Sequence, residues 1–134
     1  TPAQGVHASC WRWDHCGGCR VASHGPRPGS WRSGTTDMAR IDLIVALQAA
    51  KGREEELRKV LSTLRAASLL EAGCLDYRVA RAPQKAGRFF LLERWADATA
   101  LARHEHAPHF LDGVRRVQAC CESVEQQTVE WILE

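Results

Sequence analysis

The stretch that most constrains the fold is RFFLLERW at residues 88–95, which has the pattern of a β-strand. Successive side chains of an extended chain point to opposite faces. Four of them share one face, namely Phe89, Leu91, Glu93 and Trp95. Because Phe90 and Leu92 make the other face apolar as well, we expect both faces of this strand to be buried.

A short helix is predicted immediately after this strand. Asp97 can cap it, because an aspartate oxygen accepts a hydrogen bond from the free backbone amides of a first helical turn. Ala100, Leu101 and His104 then share one side, since positions three and four apart lie on one face of a helix. We therefore expect His104 to point towards the sheet and His106 to face solvent.

The remaining sequence predicts three further strands and two further helices. The strands are predicted at residues 40–47, 74–80 and 123–133, and the helices at 52–68 and from Pro108, the second with Phe110, Leu111, Val114 and Val117 as its apolar side. A turn at residues 83–87 should join two of the strands into a hairpin. The order β-α-β-β-α-β predicts an α+β fold, a ferredoxin-like βαββαβ antiparallel sheet with its helices on one face.

The second face of this sheet needs a cover of its own. The two helical connections, the second of them broken near residues 106–108, cover only one face, yet residues 40–47 and 88–95 are apolar on both. A second copy of the same chain is the simplest cover, so we expect a homodimer.

Residues 1–37 differ in composition from the rest of the chain. They contain no Leu, Ile, Phe, Tyr, Lys or Glu, but they hold six of the ten glycines. Such a segment cannot build a core, so we predict a disordered N-terminal extension, upstream or added, to a domain at residues 38–134 that begins at Met38. An alternative for this segment is a zinc site of Cys10, His15, Cys16 and Cys19.

Charge and hydropathy limit the kinds of partner that we expect the chain to bind. The 18 basic and 16 acidic residues leave a formal net charge of +2, so electrostatics favours neither nucleic acid nor a membrane surface as a partner. The apolar runs are shorter than the ~20 residues of a transmembrane helix, and the chain does not open on a secretory leader pattern. We expect a soluble, cytoplasmic protein.

Three short motifs stand in a recognisable order. They are GCLDY at residues 73–77, RF at 88–89 with ERW at 93–95, and AL at 100–101 with His104 and PHF at 108–110. Together they resemble the antibiotic biosynthesis monooxygenase family, of the quinol monooxygenase type, over residues 38 to about 133. The resemblance implies a dimeric α+β barrel with a pocket between helices and sheet. It also implies oxidation of a quinol or polycyclic phenol by O₂ without metal, flavin or haem.

Other activities occur on the same fold. Because relatives include isomerases and proteins without assigned activity, an isomerase of a small metabolite and a non-catalytic small-molecule-binding dimer stay open as alternatives. Haem degradation is disfavoured, since those relatives carry a tryptophan at the position of His104 and a histidine at that of Val114.

His104 is the predicted catalytic residue. An unperturbed histidine has a pKa near 6.5 and can accept a phenolic proton at neutral pH. The alternative is a hydrogen-bonded core histidine. The predicted substrate-binding residues are Tyr77, Trp95, His109 and Phe110, for which ordinary core or interface packing is the alternative.

Charged residues near these positions have less specific roles. Arg78 or Arg94 could pair with a phenolate if its face of the strand turns to the pocket. Glu93 is expected to pair with an arginine or a backbone amide. A metal site of His104, His106 and His109 is not predicted, because the first two point to different sides of a helix.

Overall fold

The computed structural model describes residues 10–14, 18–21 and 39–134, the first two ranges by their backbone alone. The elements are β1 (Cys10–Asp14), β2 (Gly18–Val21), β3 (Ile41–Ala49), α1 (Glu54–Leu69), β4 (Cys74–Arg81), β5 (Arg88–Trp95), α2 (Ala98–Glu105), α3 (Pro108–Cys120) and β6 (Cys121–Val129). Their strands form one antiparallel sheet in the order β2-β1-β6-β3-β5-β4.

Strands β6, β3, β5 and β4 make the four-stranded sheet of a ferredoxin-like βαββαβ fold. Helix α1 connects β3 to β4, and α2 with α3 connects β5 to β6. Strands β4 and β5 form the predicted hairpin, and β5 has the predicted bounds, Arg88 and Trp95. The predicted fold is confirmed, and its dimeric barrel form stays a prediction.

Strands β1 and β2 extend this sheet beyond β6. Strand β1 runs antiparallel to β6, with Cys10 opposite Gln127 and Asp14 opposite Ser123. The predictions for residues 1–37 as a whole were a disordered extension ending before Met38 or a zinc site of four side chains. They fall on residues or side chains outside the described part of the chain, and they stay predictions.

The core lies between the sheet and the helices. Its buried leucines are Leu43, Leu47, Leu57, Leu61, Leu64, Leu91 and Leu101. Full burial of a side chain of this size contributes ~1.5–3 kcal/mol. Helix α1 is further stabilised at its start, because the first-turn carboxylates of Glu54, Glu55 and Glu56 oppose the positive end of the helix dipole.

Helix α3 is rotated relative to the prediction. It buries Gly113, Val117 and Cys120, whereas Leu111 is 53% exposed. The cause lies at Gly113, where a β-carbon would overlap the Leu64 side chain of α1. The two helices approach along the line that contains this glycine, so the assignment of Leu111 to the apolar side was wrong.

Strand β6 ends earlier than predicted, at Val129. This residue lies opposite Asp42, one residue from the start of β3, so β3 offers little further backbone for pairing. Ile132 and Leu133 follow as exposed residues.

The sheet face away from the helices is also partly apolar. Ile44 and Ala46 of β3 lie opposite Leu92 and Phe90 of β5, and all four are partly buried. We call these four residues the outer patch. Apolar side chains on both faces of β5 are therefore confirmed.

Within the described part of the chain, none of the helices is long and apolar enough to cross a membrane. The cytoplasmic location stays a prediction.

Candidate functional site

A cavity of about 50 Å³ lies between the sheet and helices α1 and α3. Its wall is mostly aliphatic, and the polar side chains in it are Tyr77, Glu93, Gln118 and Gln126. Because a cavity that binds benzene measures about 150 Å³, an aromatic ring can enter this one only if wall side chains move. The wall on the α3 side is formed by Phe110, Val114, Val117 and Gln118, of which Phe110 and Val114 are partly buried.

Glu93 is the acidic group of this cavity. Its carboxylate is buried on the helix-facing side of β5 and accepts a hydrogen bond from Trp95 Nε1 at 3.0 Å. Burial raises the pKa of Glu93 to about 7, and the charges of Glu105 and Glu71 add to this, while the Trp95 hydrogen bond opposes it. The prediction that Glu93 pairs with an arginine or a backbone amide was wrong, because its carboxylate accepts from the indole of Trp95, the next inward residue of β5.

Two further polar groups face Glu93 or share its cavity. Tyr77 lies directly across from Glu93 in the β4–β5 pair, and burial raises its pKa well above the ordinary value, so its phenol is neutral. The Nε2 atom of Gln126 is buried and has no hydrogen-bond partner among the described residues. An unpaired buried donor is costly, so the cavity favours a ligand or water that offers an acceptor.

A second polar cluster borders the cavity through Phe110. His104 contacts Phe110 edge-on, with ring centroids 4.9 Å apart, and packs against Trp95 at 4.4 Å. Its Nδ1 atom lies 2.7 Å from Glu71 Oε2, and Nε2 of His109 lies 2.7 Å from the same oxygen. We call Glu71, His104 and His109 the Glu-His-His cluster.

The hydrogen bond to Glu71 determines which nitrogen of His104 is basic. Donation from Nδ1–H to a carboxylate leaves Nε2 with the free lone pair. Burial lowers the pKa of His104, although the hydrogen bond to Glu71 and its charge raise it in part. His104 is therefore neutral at pH 7 and able to accept a proton.

Hydrogen bonds at the turn that holds Glu71 and at the start of helix α2 position the cluster. Glu71 lies in the turn after α1, where its amide donates to Ser68 O at 3.0 Å and its carbonyl accepts from Cys74 N at 3.1 Å. Helix α2 begins at the predicted cap, since Asp97 accepts from the Ala100 amide at 2.9 Å. His104 follows in the last turn of that helix and is 2% exposed, as predicted.

The structure divides the predicted site residues between two places. Tyr77 and Phe110 line the cavity. His104, Trp95 and His109 do not line it. Behind Phe110, the ring of His104 contacts the rings of Trp95 and His109. Phe110 belongs to both groups and is the only predicted residue that connects them within the described part of the chain.

The positions of His106, Arg94 and Arg78 test the remaining expectations from the sequence. His106 is exposed as predicted, and its Nδ1 lies 2.8 Å from Ala102 O, so the three histidines do not converge. Arg94 and Arg78 lie on the sheet face away from the cavity, where they pair with Asp42 and Asp76. The condition under which either arginine could pair with a phenolate is therefore not met.

Sequence reasoning missed two residues, Glu71 and Gln126. Glu71 lies in an irregular turn, where neither helical nor strand periodicity predicts a direction. Gln126 could have been found, because it is two residues after Val124 and must share the inward face of that strand. It was missed because its neighbours in the sequence are also polar, so no alternation of apolar and polar residues indicates which face it is on.

The helices cover one face of a ferredoxin-like sheet, and a cavity lies between the two layers. This architecture defines a class of small α+β proteins. The family model for antibiotic biosynthesis monooxygenase matches residues 41–116, more than half of the chain. The chain belongs to this family.

Solved structures agree with this assignment. The crystal structure of PA3566 from Pseudomonas aeruginosa is 32% identical, with a TM-score of 0.67, over 72% of this chain and 98% of that one. A Bacteroides thetaiotaomicron protein, described as of unknown function and a possible oxidoreductase, is 28% identical, with a TM-score of 0.64, over 69% and 99% of the two chains. A Caulobacter crescentus protein named as a candidate antibiotic biosynthesis monooxygenase is 21% identical, with a TM-score of 0.66, over 74% and 95%, and shows the fold alone. No protein with curated annotation matches the sequence.

Proposed function

We propose that this chain is a cofactor-independent monooxygenase that oxidises a quinol or polycyclic phenol with O₂. The observation that carries the proposal is the partly buried hydrogen bond between Glu71 and His104, which lies next to the cavity wall at Phe110. A carboxylate that fixes the tautomer of a neutral histidine is the arrangement that prepares a general base.

His104 would take the phenolic proton at Nε2. Its Nδ1–H stays bonded to Glu71, so the charge of the resulting imidazolium is offset by the adjacent carboxylate. The deprotonated substrate is electron-rich enough to react with O₂ directly. One oxygen atom enters the substrate and the other leaves as water, and the substrate supplies the electrons.

Substrate binding would use the cavity after its α3 wall has moved. Phe110 and Val114 are the partly buried wall residues, and displacement of the Phe110 ring would open the cavity towards His104. Tyr77 and Phe110 could then stack on the ring of the substrate, while Trp95 and His109 hold the base from behind. Gln126 would donate to a substrate carbonyl or hydroxyl oxygen.

The active unit in this proposal is a homodimer. The outer patch on β3 and β5 is apolar and only partly buried, and a second copy would cover it.

Oxygen uptake tests the activity. The purified chain, in the presence of a metal chelator, should consume O₂ with one or more of a panel of reduced naphthoquinols and anthrones, after correction for autoxidation. A positioned base contributes ~10²–10⁴-fold, so His104→Ala should lower turnover at least tens of fold. His106→Ala is the matched control, because its side chain is exposed, and it should retain the parental rate. Equal rates for His104→Ala and the parent would remove His104 as the base.

A non-catalytic binding dimer or an isomerase is the second candidate. The observation that favours it is that the His104 ring packs against Trp95 and does not line the cavity. This function predicts that quinols quench the fluorescence of the parent without O₂ uptake by any variant.

A further inference from the structure

We propose that Glu71, His104 and His109 form a binding site for a divalent transition-metal ion of the kind that imidazole and carboxylate ligands favour, such as Zn²⁺, Co²⁺ or Ni²⁺. Neither the family nor the proposed activity assigns such a site. The inference does not depend on the proposed activity, because its test measures binding, whereas oxygen uptake is measured with a metal chelator present. An ion on Nδ1 would leave the ring proton of His104 on Nε2, so only the ion-free form would carry the proposed base.

The donor atoms converge on a single point. Nδ1 of His104 and Nε2 of His109 each lie 2.7 Å from Oε2 of Glu71, and all three atoms lie within 4.8 Å of one another. Tetrahedral ligands at ~2.1 Å from a zinc ion lie about 3.4 Å apart. The two short contacts would therefore lengthen by about 0.7 Å to admit an ion between them.

The ligand types suit the proposed ions. Two imidazoles and one carboxylate are a common set for first-row transition metals, and they leave coordination positions for water or another small ligand. The ion would take the place of the two hydrogen-bonded protons now shared with Glu71. Each histidine then coordinates through the nitrogen that already faces this oxygen.

The charge around the cluster favours a cation. Among residues 39–134, the ion pairs of Glu71 are with His104 and His109, and none is with a lysine or arginine. Glu93 interacts electrostatically with Glu71, so a second carboxyl group that can ionise lies close by. A divalent ion would offset a carboxylate that otherwise has only histidine partners.

Burial gives the site one rigid wall and one open side. His104 is held between Trp95 and Phe110 and is 2% exposed. The side chains of His109 and Glu71 are 29% and 18% exposed, so they can adjust, and an ion can enter from their side. Because His104 is already held in place, it loses little conformational entropy when an ion binds, and mainly the other two ligands must be ordered.

Cobalt binding to the full chain tests the site. After treatment with chelator, stoichiometric Co²⁺ should give visible d–d absorption without thiolate-to-metal charge-transfer bands in the near-ultraviolet. Zn²⁺ should displace Co²⁺ and raise the Tm by several degrees, since an ion that binds only the folded state stabilises it. The same spectra should be obtained with the variant Cys10→Ser, Cys16→Ser, Cys19→Ser.

Matched variants locate the ion. Glu71→Gln and His109→Ala should each weaken Co²⁺ binding at least tenfold, whereas His106→Ala should leave it unchanged. Both ligand variants are at partly exposed positions, so circular dichroism should confirm that they fold. The proposal is overturned by an absence of binding with Co²⁺ in large molar excess, by binding that survives both ligand variants, or by thiolate bands that disappear with the three cysteines.

Discussion

Gly73 and Ala100 are in such close contact that a β-carbon at position 73 would overlap the methyl group of Ala100. Gly73 follows Glu71 in the turn after α1, and Ala100 precedes His104 by one helical turn of α2. This contact therefore sets the distance between the carboxylate and the imidazole of the Glu-His-His cluster.

Gly73→Ala should destabilise the fold and separate Glu71 from His104. Overpacking of this kind costs about 1–3 kcal/mol, which urea unfolding can measure. Nitrogen NMR of His104 should show that Nδ1 loses its fixed proton. Ala100→Gly in the same chain removes the overlap, but it costs ~1 kcal/mol itself because glycine is unfavourable within a helix. The loss of stability in the double variant should therefore be smaller than the sum of the losses in the two single variants. Strictly additive effects would contradict the contact.

The fold could be predicted because its signals are local. The alternation of residues 88–95 and the spacing from Asp97 to His104 each lie within one element, and the structure reproduces both. The inward direction of His104 followed from the same spacing.

The partners of His104 could not be predicted in this way. Glu71 is 33 residues from His104 in sequence, and it lies in a turn whose side-chain directions are fixed by packing. The close approach at Gly73 that brings them together also depends on tertiary structure. The rotation of α3 has the same origin, because it is set by Gly113 against Leu64 and not by the spacing of apolar residues.

The cap at Asp97 should contribute measurably to stability. Its oxygen accepts from the Ala100 amide at 2.9 Å, and loss of such a cap costs about 0.5–2 kcal/mol. Asp97→Ala should lower the free energy of unfolding by this amount in urea, and Asp97→Asn, which keeps an acceptor, by much less. Asp112→Ala is the control, because Asp112 is exposed and its ion pairs within residues 39–134 are with Arg115 and Arg116 of its own helix. An equal loss in the alanine and asparagine variants would argue against the cap.

The outer patch should hold two copies together. Sedimentation of the parent should show a dimer at micromolar concentration. Leu92→Asp should shift it to monomer, because a carboxylate would replace an apolar side chain at the interface and the Arg78 opposite it already pairs with Asp76. Leu70→Asp changes an 87% exposed leucine outside the patch, so it should leave the dimer intact. A monomeric parent, or dissociation by both variants alike, would exclude this interface.

Glu93 should give the protein an unusual dependence of stability on pH. Its pKa is raised from 4.5 to about 7 in the folded chain, chiefly by burial. Between these two values the unfolded chain has released the proton while the folded chain retains it, so the free energy of unfolding falls as the pH rises through this window. The contribution is about 3 kcal/mol in total, and it levels off once the pH exceeds the folded pKa.

Glu93→Gln isolates this effect from other groups that titrate in the same range, such as His104. Glutamine keeps the shape of the side chain and an oxygen that can accept from Trp95 Nε1, but it has no proton to release. Stability of the variant relative to the parent should therefore improve between pH 5 and pH 8, as measured by urea unfolding with tryptophan fluorescence. Parallel pH profiles for the two proteins would mean that Glu93 is ionised in the folded state throughout this range.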